Sequence, residues 1–298
     1  MIYPDDDDWP GLCQASRTNG RATQRQMNWR RAALWALTET LQPATVRQIY
    51  YQATVHGIVD KSEQGYDKVQ ACLVELRLDY GMPFDWLVDN TRWMRKPRSY
   101  SSLEHALQVT AQTYRRSLWH QAGVNVEIWC EKDALAGVLY DVTAEYDVPL
   151  MVARGYSSIT FLKQSAETIE AQEKPAFIYH FGDWDPSGQD AADNIEARLQ
   201  EFAPEADITF EKVAVQPEQI EAWNLPSRPT KTSDTRSAKW RGGESVELDA
   251  IDPNRLRALV RAVIEEHVDE DQLAVIRVAE ESERELIKAW RPNGEAAP

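Results

Sequence analysis

The chain is poor in the residues that define several large protein classes. Its 298 residues include only three cysteines, Cys13, Cys72 and Cys130, with no C-x-x-C spacing. This argues against a zinc ribbon or a disulfide framework and predicts a reduced compartment. No run approaches 18 apolar residues, and the opening stretch MIYPDDDDWPG is acidic where a secretory leader is basic and then apolar. Neither a membrane span nor a signal peptide is expected, so the predicted location is cytoplasmic. The five histidines are scattered. Internal repeats and coiled-coil heptads are absent.

Positive charge is outnumbered, 33 Lys/Arg against 48 Asp/Glu, but its distribution is informative. The formal net charge is −15, yet residues 1–120 hold 15 Lys/Arg against 13 Asp/Glu, and residues 9–120 alone stand at +6. The charge needed for phosphate contact is thus concentrated N-terminally, on a protein whose acidic body disfavours loose, non-specific DNA binding.

The densest chemistry lies in Pro175 to Gly188, PAFIYHFGDWDPSG. Ala176 to Tyr179 has the composition of a buried strand. Gly182 breaks it, Asp183 and Asp185 follow, and Pro186 opens a helix carried on by Ser187 to Leu199. In an extended segment the two aspartates point to one side. Like charges held that close call for a hard divalent cation with oxygen ligands. A strand-to-helix turn with an aspartate N-cap is an equally good reading of D-x-D alone.

Upstream, the strand-like run Val124 to Cys130 ends in Glu131. Strands over 124–130, 148–153, 176–182 and 207–215 alternate with helical patterns, which predicts a parallel sheet in an α/β fold. Glu131, Asp183 and Asp185 should then share one sheet edge, where open α/β sheets bind ligands. Three carboxylates there can hold one or two Mg²⁺ ions, with Mn²⁺ as a substitute, and leave positions for a phosphate; that is metal-assisted phosphodiester chemistry.

The N-terminal third reads as a flexible arm (1–22), then helices over Gln26–Leu41, Thr45 to about His56, and a third ending at Gly81-Met82-Pro83. Phe84 to Arg95 then suggests a two-stranded ribbon. Three helices and a ribbon are the order of a winged helix, a DNA-binding relative of the helix-turn-helix, here over residues 23–100. Arg92, Arg95, Lys96 and Arg98 fall on and just after the wing, where phosphate contacts are expected.

Glu131-Lys132-Asp133-Ala134 followed by Asp183-Trp184-Asp185-Pro186-Ser187-Gly188 resembles a toprim domain. It is most similar to the topoisomerase VI A subunit and its relative, the meiotic double-strand-break transesterase, over about residues 25–270. The resemblance implies a catabolite-activator-like winged helix, a connecting helix over 101–120, a toprim domain with C-terminal helices over 121–291, and a tail at 292–298. It also implies double-stranded DNA as substrate, a homodimer in which the tyrosine of one subunit works with its partner's metal site, and Lys132 among the DNA contacts. In Thr45-Val46-Arg47-Gln48-Ile49-Tyr50-Tyr51 it makes Tyr51 the nucleophile and Arg47 its electrostatic partner. A phenol with a pKa near 10 needs such help. Tyr50 is expected to be structural. The expected product is a staggered double-strand break with 5′-phosphotyrosyl links.

The resemblance has gaps. At Ala153-Arg154-Gly155-Tyr156 only Gly155-Tyr156 matches the family's turn. An ATPase module is missing, which implies a stand-alone A-subunit-like protein of the kind found in phages and bacteria, acting in the host cytoplasm if phage-encoded, with any ATPase subunit separate. Val246 to Ile251 also looks like a family segment, making Glu247 and Asp249 candidates for the metal's surroundings; His180, the one histidine next to the carboxylates, is a third candidate, with a satisfied strand histidine as its plainer reading. The basic stretch 226–245 is either a mobile surface loop or one that grips DNA. Two alternatives stay open: a toprim-type hydrolytic nuclease in which Tyr51 only packs, and a DNA-binding or assembly protein with an inactive site.

Overall fold

A computed structural model describes residues 23–88, 97–120, 122–154, 157–229, 240, 243–268 and 270–290. Three helices come first: α1 (Gln24–Leu41), α2 (Val46–Val55) and α3 (Glu63–Asp79). Thr23 and Thr45 open α1 and α2 with reciprocal capping boxes, to Gln26 and Gln48, and the Ser62 hydroxyl accepts from Gly65 N at the start of α3. These pairings satisfy amides that the first turn of a helix leaves free. Gly57 after α2 and Gly81 after α3 adopt φ of 70° and 78°, which is why glycine ends both helices.

The ribbon expected from Phe84 onward starts differently. Phe84–Trp86 is a 3₁₀ turn, and Leu87 makes one isolated parallel bridge to Ala44. The expected wing residues Arg92, Arg95 and Lys96 lie outside the described residues, as do the arm at 1–22, Gly155, Tyr156 and the tail at 292–298. Arg98 is described and exposed. The connecting helix α4 is Leu103–Thr113, shorter than the expected 101–120. It stops because Tyr114 to Arg116 bind the C-terminal helix instead: Arg284 donates to Tyr114 O, and Arg116 N donates to Glu280 Oε2 (2.9 Å).

The rest alternates as predicted: β1 (Asn125–Cys130), α5 (Ala136–Glu145), β2 (Leu150–Val152), α6 (Ile159–Ala171), β3 (Ala176–Phe181), α7 (Pro186–Phe202), β4 (Ile208–Ala214), a short α8 (Pro217–Ala222), α9 (Pro253–Glu265) and α10 (Glu270–Ala289). The four strands form one sheet in the order β2-β1-β3-β4, every pairing parallel. Each strand is one to three residues shorter than its sequence run, because the terminal residues turn towards the site or the connections.

Side chains alternate across the sheet, as the period of two requires. Val126, Ile128, Cys130, Tyr179 and Phe181 join α5, α9 and the N-terminal helices in one apolar cluster. Trp129 and Ile178 pack on the other face with Leu162 of α6 and Ile195 and Leu199 of α7. The first cluster is continuous from α1–α3 to the sheet, so the helix that carries Tyr51 is fixed against the sheet's carboxyl edge. Among the described residues, no helix is long and apolar enough to cross a membrane.

Candidate functional site

β1 and β3 are neighbours in register, with Cys130 opposite Phe181, so the residues that follow them emerge side by side. Asp183 N donates to Glu131 Oε2 at 3.0 Å. The expectation that Glu131 and Asp183 share one sheet edge therefore holds. Two glycines make room: a Cβ on Gly182 would stand 2.9 Å from Glu131 Oε2, and one on Gly188 would stand 2.6 Å from Asp183 O and 3.2 Å from Glu131 Oε2.

Asp185 takes the plainer of its two readings. Its Oδ1 accepts from Ser187 N (3.0 Å) and Gly188 N (2.8 Å), capping α7. The capping leaves Oδ2 facing Arg228, at 3.8 Å. Among the described residues, no three His, Cys, Asp or Glu side chains form a ready metal-holding group. The reason is visible in the contacts, because a lysine sits among the acids.

Lys132, directly after Glu131, is that lysine. Its Nζ lies 2.6 Å from Asp249 Oδ2, 2.9 Å from Asp183 Oδ1 and 3.4 Å from Glu247 Oε2. Burial works against its charge, but the three carboxylates more than compensate and raise its pKa. Glu247 and Asp249 come from Val246 to Ile251, which an antiparallel bridge between Val246 and Trp184 and the bond from Leu248 N to Asp183 Oδ1 (2.8 Å) tie to the D-x-D turn. Both were expected near the metal; the structure seats them on Lys132. Burial tends to raise the Glu247 pKa, but Lys132, Arg47 and Arg228 lower it overall.

Glu131 has the opposite balance. Burial and the neighbouring charge of Asp183 push its pKa up to about 7, and the Asp183 amide and Lys132 offset this only in part. Among the described residues, no Lys or Arg comes within ion-pair distance of it.

The N-terminal helices reach the same place. Arg47 NH1 lies 3.6 Å from Glu247 Oε2, and Gln52 Nε2 donates to Ala250 O at 3.4 Å. Tyr51 is 5 % exposed, with Lys61 Nζ 5.7 Å from its ring centroid. Burial, with the charge of Glu247, raises its pKa; Arg47 and Lys132 pull it back. Tyr50 is held structurally, its hydroxyl donating to Ser62 O and its ring edge-on to Tyr66. A cleft of about 710 Å³ runs between the N-terminal helices and the sheet edge, with Arg47, Glu131, Lys132 and Asp249 in its wall. Tyr51 is not among the residues that line it.

Two residues of the site were not singled out by the sequence. Arg228, placed only among the cations of a basic loop, bonds Glu247 Oε1 at 2.6 Å, while its backbone pairs with Ser245. Lys61 spans from the Tyr51 ring to Ser227 O. Only the fold tells which acid Arg228 meets. Residues 230–239, and with them Lys231, Arg236 and Lys239, lie outside the described residues, as does Arg241.

His180 stands apart from this network. It is 3 % exposed, stacked on Phe210, with Nε2 unpartnered among the described residues. Burial, aided by Lys212, lowers its pKa from 6.5 to about 4. The unfolded chain thus takes up this proton near pH 6.5 and the fold only near pH 4, so the His180 contribution to stability falls as the pH drops through that window. Between pH 7 and pH 5 the loss is about 2 kcal/mol. Glu131 titrates in the opposite sense over the same range, so the readout is the difference between wild type and His180→Gln in denaturant unfolding at the two pH values. The variant should lose less stability on acidification; equal losses would show that His180 does not titrate this way.

No protein-family model matches this chain, and no curated protein matches it in sequence.

Proposed function

We propose that this protein is a divalent-metal-dependent DNA-cleaving transesterase, in which Tyr51 attacks a phosphodiester and Glu131, Asp183 and Asp185 hold the metal. The observation that carries the reading is the meeting of α2 with the carboxylate edge: Arg47, one turn before Tyr51, ion-pairs with Glu247, which shares Lys132 with Asp183. A nucleophile, a cation for developing charge and a cluster of hard oxygen donors thus converge from segments far apart in sequence.

The charge and the oxygen chemistry of the cluster suit a hard divalent ion, although among the described residues its carboxylates are not gathered into a three-ligand group. Five carboxylates (Glu131, Asp183, Asp185, Glu247 and Asp249) stand with three cations (Lys132, Arg47 and Arg228), an excess of two formal negative charges. The excess falls on the Glu131 and Asp185 side, where Glu131 has no Lys or Arg within ion-pair distance among the described residues and Asp185 has Arg228 at 3.8 Å. Bound there, Mg²⁺ or Mn²⁺ would neutralise charge on the scissile phosphate and on the leaving 3′-oxygen.

In the reaction the Tyr51 oxygen bonds to phosphorus, the bond from phosphorus to the 3′-oxygen breaks, and the phenolic proton is passed on as the 3′-hydroxyl forms. Arg47 stabilises the negative charge on the phenolate and the phosphate oxygens. The DNA is left 5′-linked to Tyr51. Double-stranded DNA, a homodimer, a separate ATPase subunit and a topoisomerase-like cycle of breaking and rejoining belong to this reading; Arg47, one turn before Tyr51, meets the carboxylates of its own chain, whereas the resemblance implies a tyrosine that serves the partner's metal site.

One observation favours a second reading. Glu131 and Lys132 line the cleft, while Tyr51 does not, being buried with a raised pKa. In a hydrolytic nuclease at this edge, water would be the nucleophile and Tyr51 only a packing residue. Supercoiled plasmid incubated with Mg²⁺ or Mn²⁺ and quenched in detergent tests the metal-dependent core that both share. Asp183→Ala should abolish all breaks, because it removes a metal ligand and strips Lys132 of a partner. Breaks that survive in Asp183→Ala would overturn both readings.

A further inference from the structure

The acidic edge divides into two halves that differ in charge balance. In one, Lys132 Nζ contacts oxygens from Asp183, Glu247 and Asp249 at 2.6–3.4 Å, and Arg47 and Arg228 complete the neutralisation of Glu247. Three carboxylates there meet three cations. In the other, Glu131 has no cationic partner among the described residues, and Asp185 has Arg228 only at 3.8 Å. A side-chain ammonium buried among three carboxylate groups from two separate chain segments takes the position a metal ion would otherwise hold. Asp249 supplies an independent pointer: it is 1 % exposed, and its Oδ1 is buried with no hydrogen-bond partner among the described residues. An unpartnered carboxylate oxygen in that setting is a donor that a second cation would use if the ammonium were removed.

We propose that Lys132 takes the place of a second divalent cation, so that each chain binds one ion, on the Glu131 and Asp185 side, instead of two. The inference rests on the metal-binding reading above and narrows it to a one-ion site with a built-in ammonium. Lys132 is then a positioning residue. It fixes Asp183 Oδ1, leaves Asp183 Oδ2 for the ion, and holds Glu247 where Arg47 can pair with it. A point charge on a flexible stem suits this role, since Lys makes no planar bidentate demand on its partners.

The test counts Mn²⁺ bound per chain, by loss of the free-ion electron paramagnetic resonance signal, with no DNA present. Wild type should bind one ion and Glu131→Gln none. Lys132→Met removes the ammonium while keeping the stem's volume, and should bind two ions, the second lost again in Lys132→Met/Asp249→Asn. Two ions in wild type, or one in a folded Lys132→Met, would overturn the inference while leaving the metal reading intact. No binding by any of the proteins would overturn the metal reading and this inference with it. If Lys132→Met fails to fold by circular dichroism, the wild-type count still decides, as does Lys132→Arg, which keeps a cation and should bind one ion.

Discussion

Replacing Tyr51 by phenylalanine should remove protein-linked DNA breaks by on the order of 10³-fold or more, while the protein remains folded. Loss of the nucleophile in a covalent mechanism cannot be compensated by binding or by metal, so the effect belongs among the large ones. The ring's packing is kept, since its neighbours Tyr50 (5.4 Å between centroids) and Lys61 (5.7 Å) contact the ring. The result also separates the two mechanisms. Metal-dependent breaks that carry no protein and persist in Tyr51→Phe would assign the attack to water. A transesterase must first uncover this residue, which is 5 % exposed. The bond from Lys61 to Ser227 O joins the ring's neighbour to the chain segment carrying Arg228.

The second large effect is on the scaffold. Gly188 is in the first turn of α7, where glycine is ordinarily a poor choice and alanine would gain up to about 1 kcal/mol. Here the sign should reverse. A Cβ would sit 2.6 Å from Asp183 O and 3.2 Å from Glu131 Oε2, and the nearer atom is backbone, which cannot swing aside. Gly188→Ala should therefore destabilise the protein by about 1–3 kcal/mol, the usual range for overpacking, and weaken Mn²⁺ binding, because the turn that holds Asp183 and the carboxylate of Glu131 must both shift. Gly123→Ala is the control: nothing lies within 4 Å of its added Cβ, so its melting temperature should be unchanged. A Gly188→Ala protein as stable as wild type, with unaltered Mn²⁺ affinity, would show that the close approach is not a constraint.

The sequence carries the sheet more clearly than the site. Buried strands alternating with helices dictate parallel pairing, and once β1 and β3 are neighbours, Glu131 and Asp183 have to meet. The Thr45 cap was also legible, because Thr45 three residues before Gln48 is a local signal that local structure obeys. Asp185 shows the limit of such signals: D-x-D-P names a metal ligand and an N-cap equally well, and the fold uses it as a cap while leaving Oδ2 free of that duty. Lys132 was expected to face DNA, but it turns inward to acids about 50 and 115 residues away. Long-range partners of this kind depend on which loops the packed core brings together, and no periodicity encodes that. The same holds for Arg228 on Glu247. The connecting helix ended early because Arg284 and Glu280 of α10 capture the backbone at Tyr114 and Arg116, a tertiary contact that overrides local propensity.

The most direct test of the central claim is to identify the atom joined to DNA. Wild-type protein is incubated with 5′- and 3′-labelled duplex and Mg²⁺, quenched in detergent, digested with nuclease and protease, and read by mass spectrometry. The expected product is a nucleotide attached through its 5′-phosphate to the peptide containing Tyr51, with free 3′-hydroxyl ends on the complementary fragments. Cleaved DNA with free 5′-phosphates and an unmodified Tyr51 peptide would contradict it.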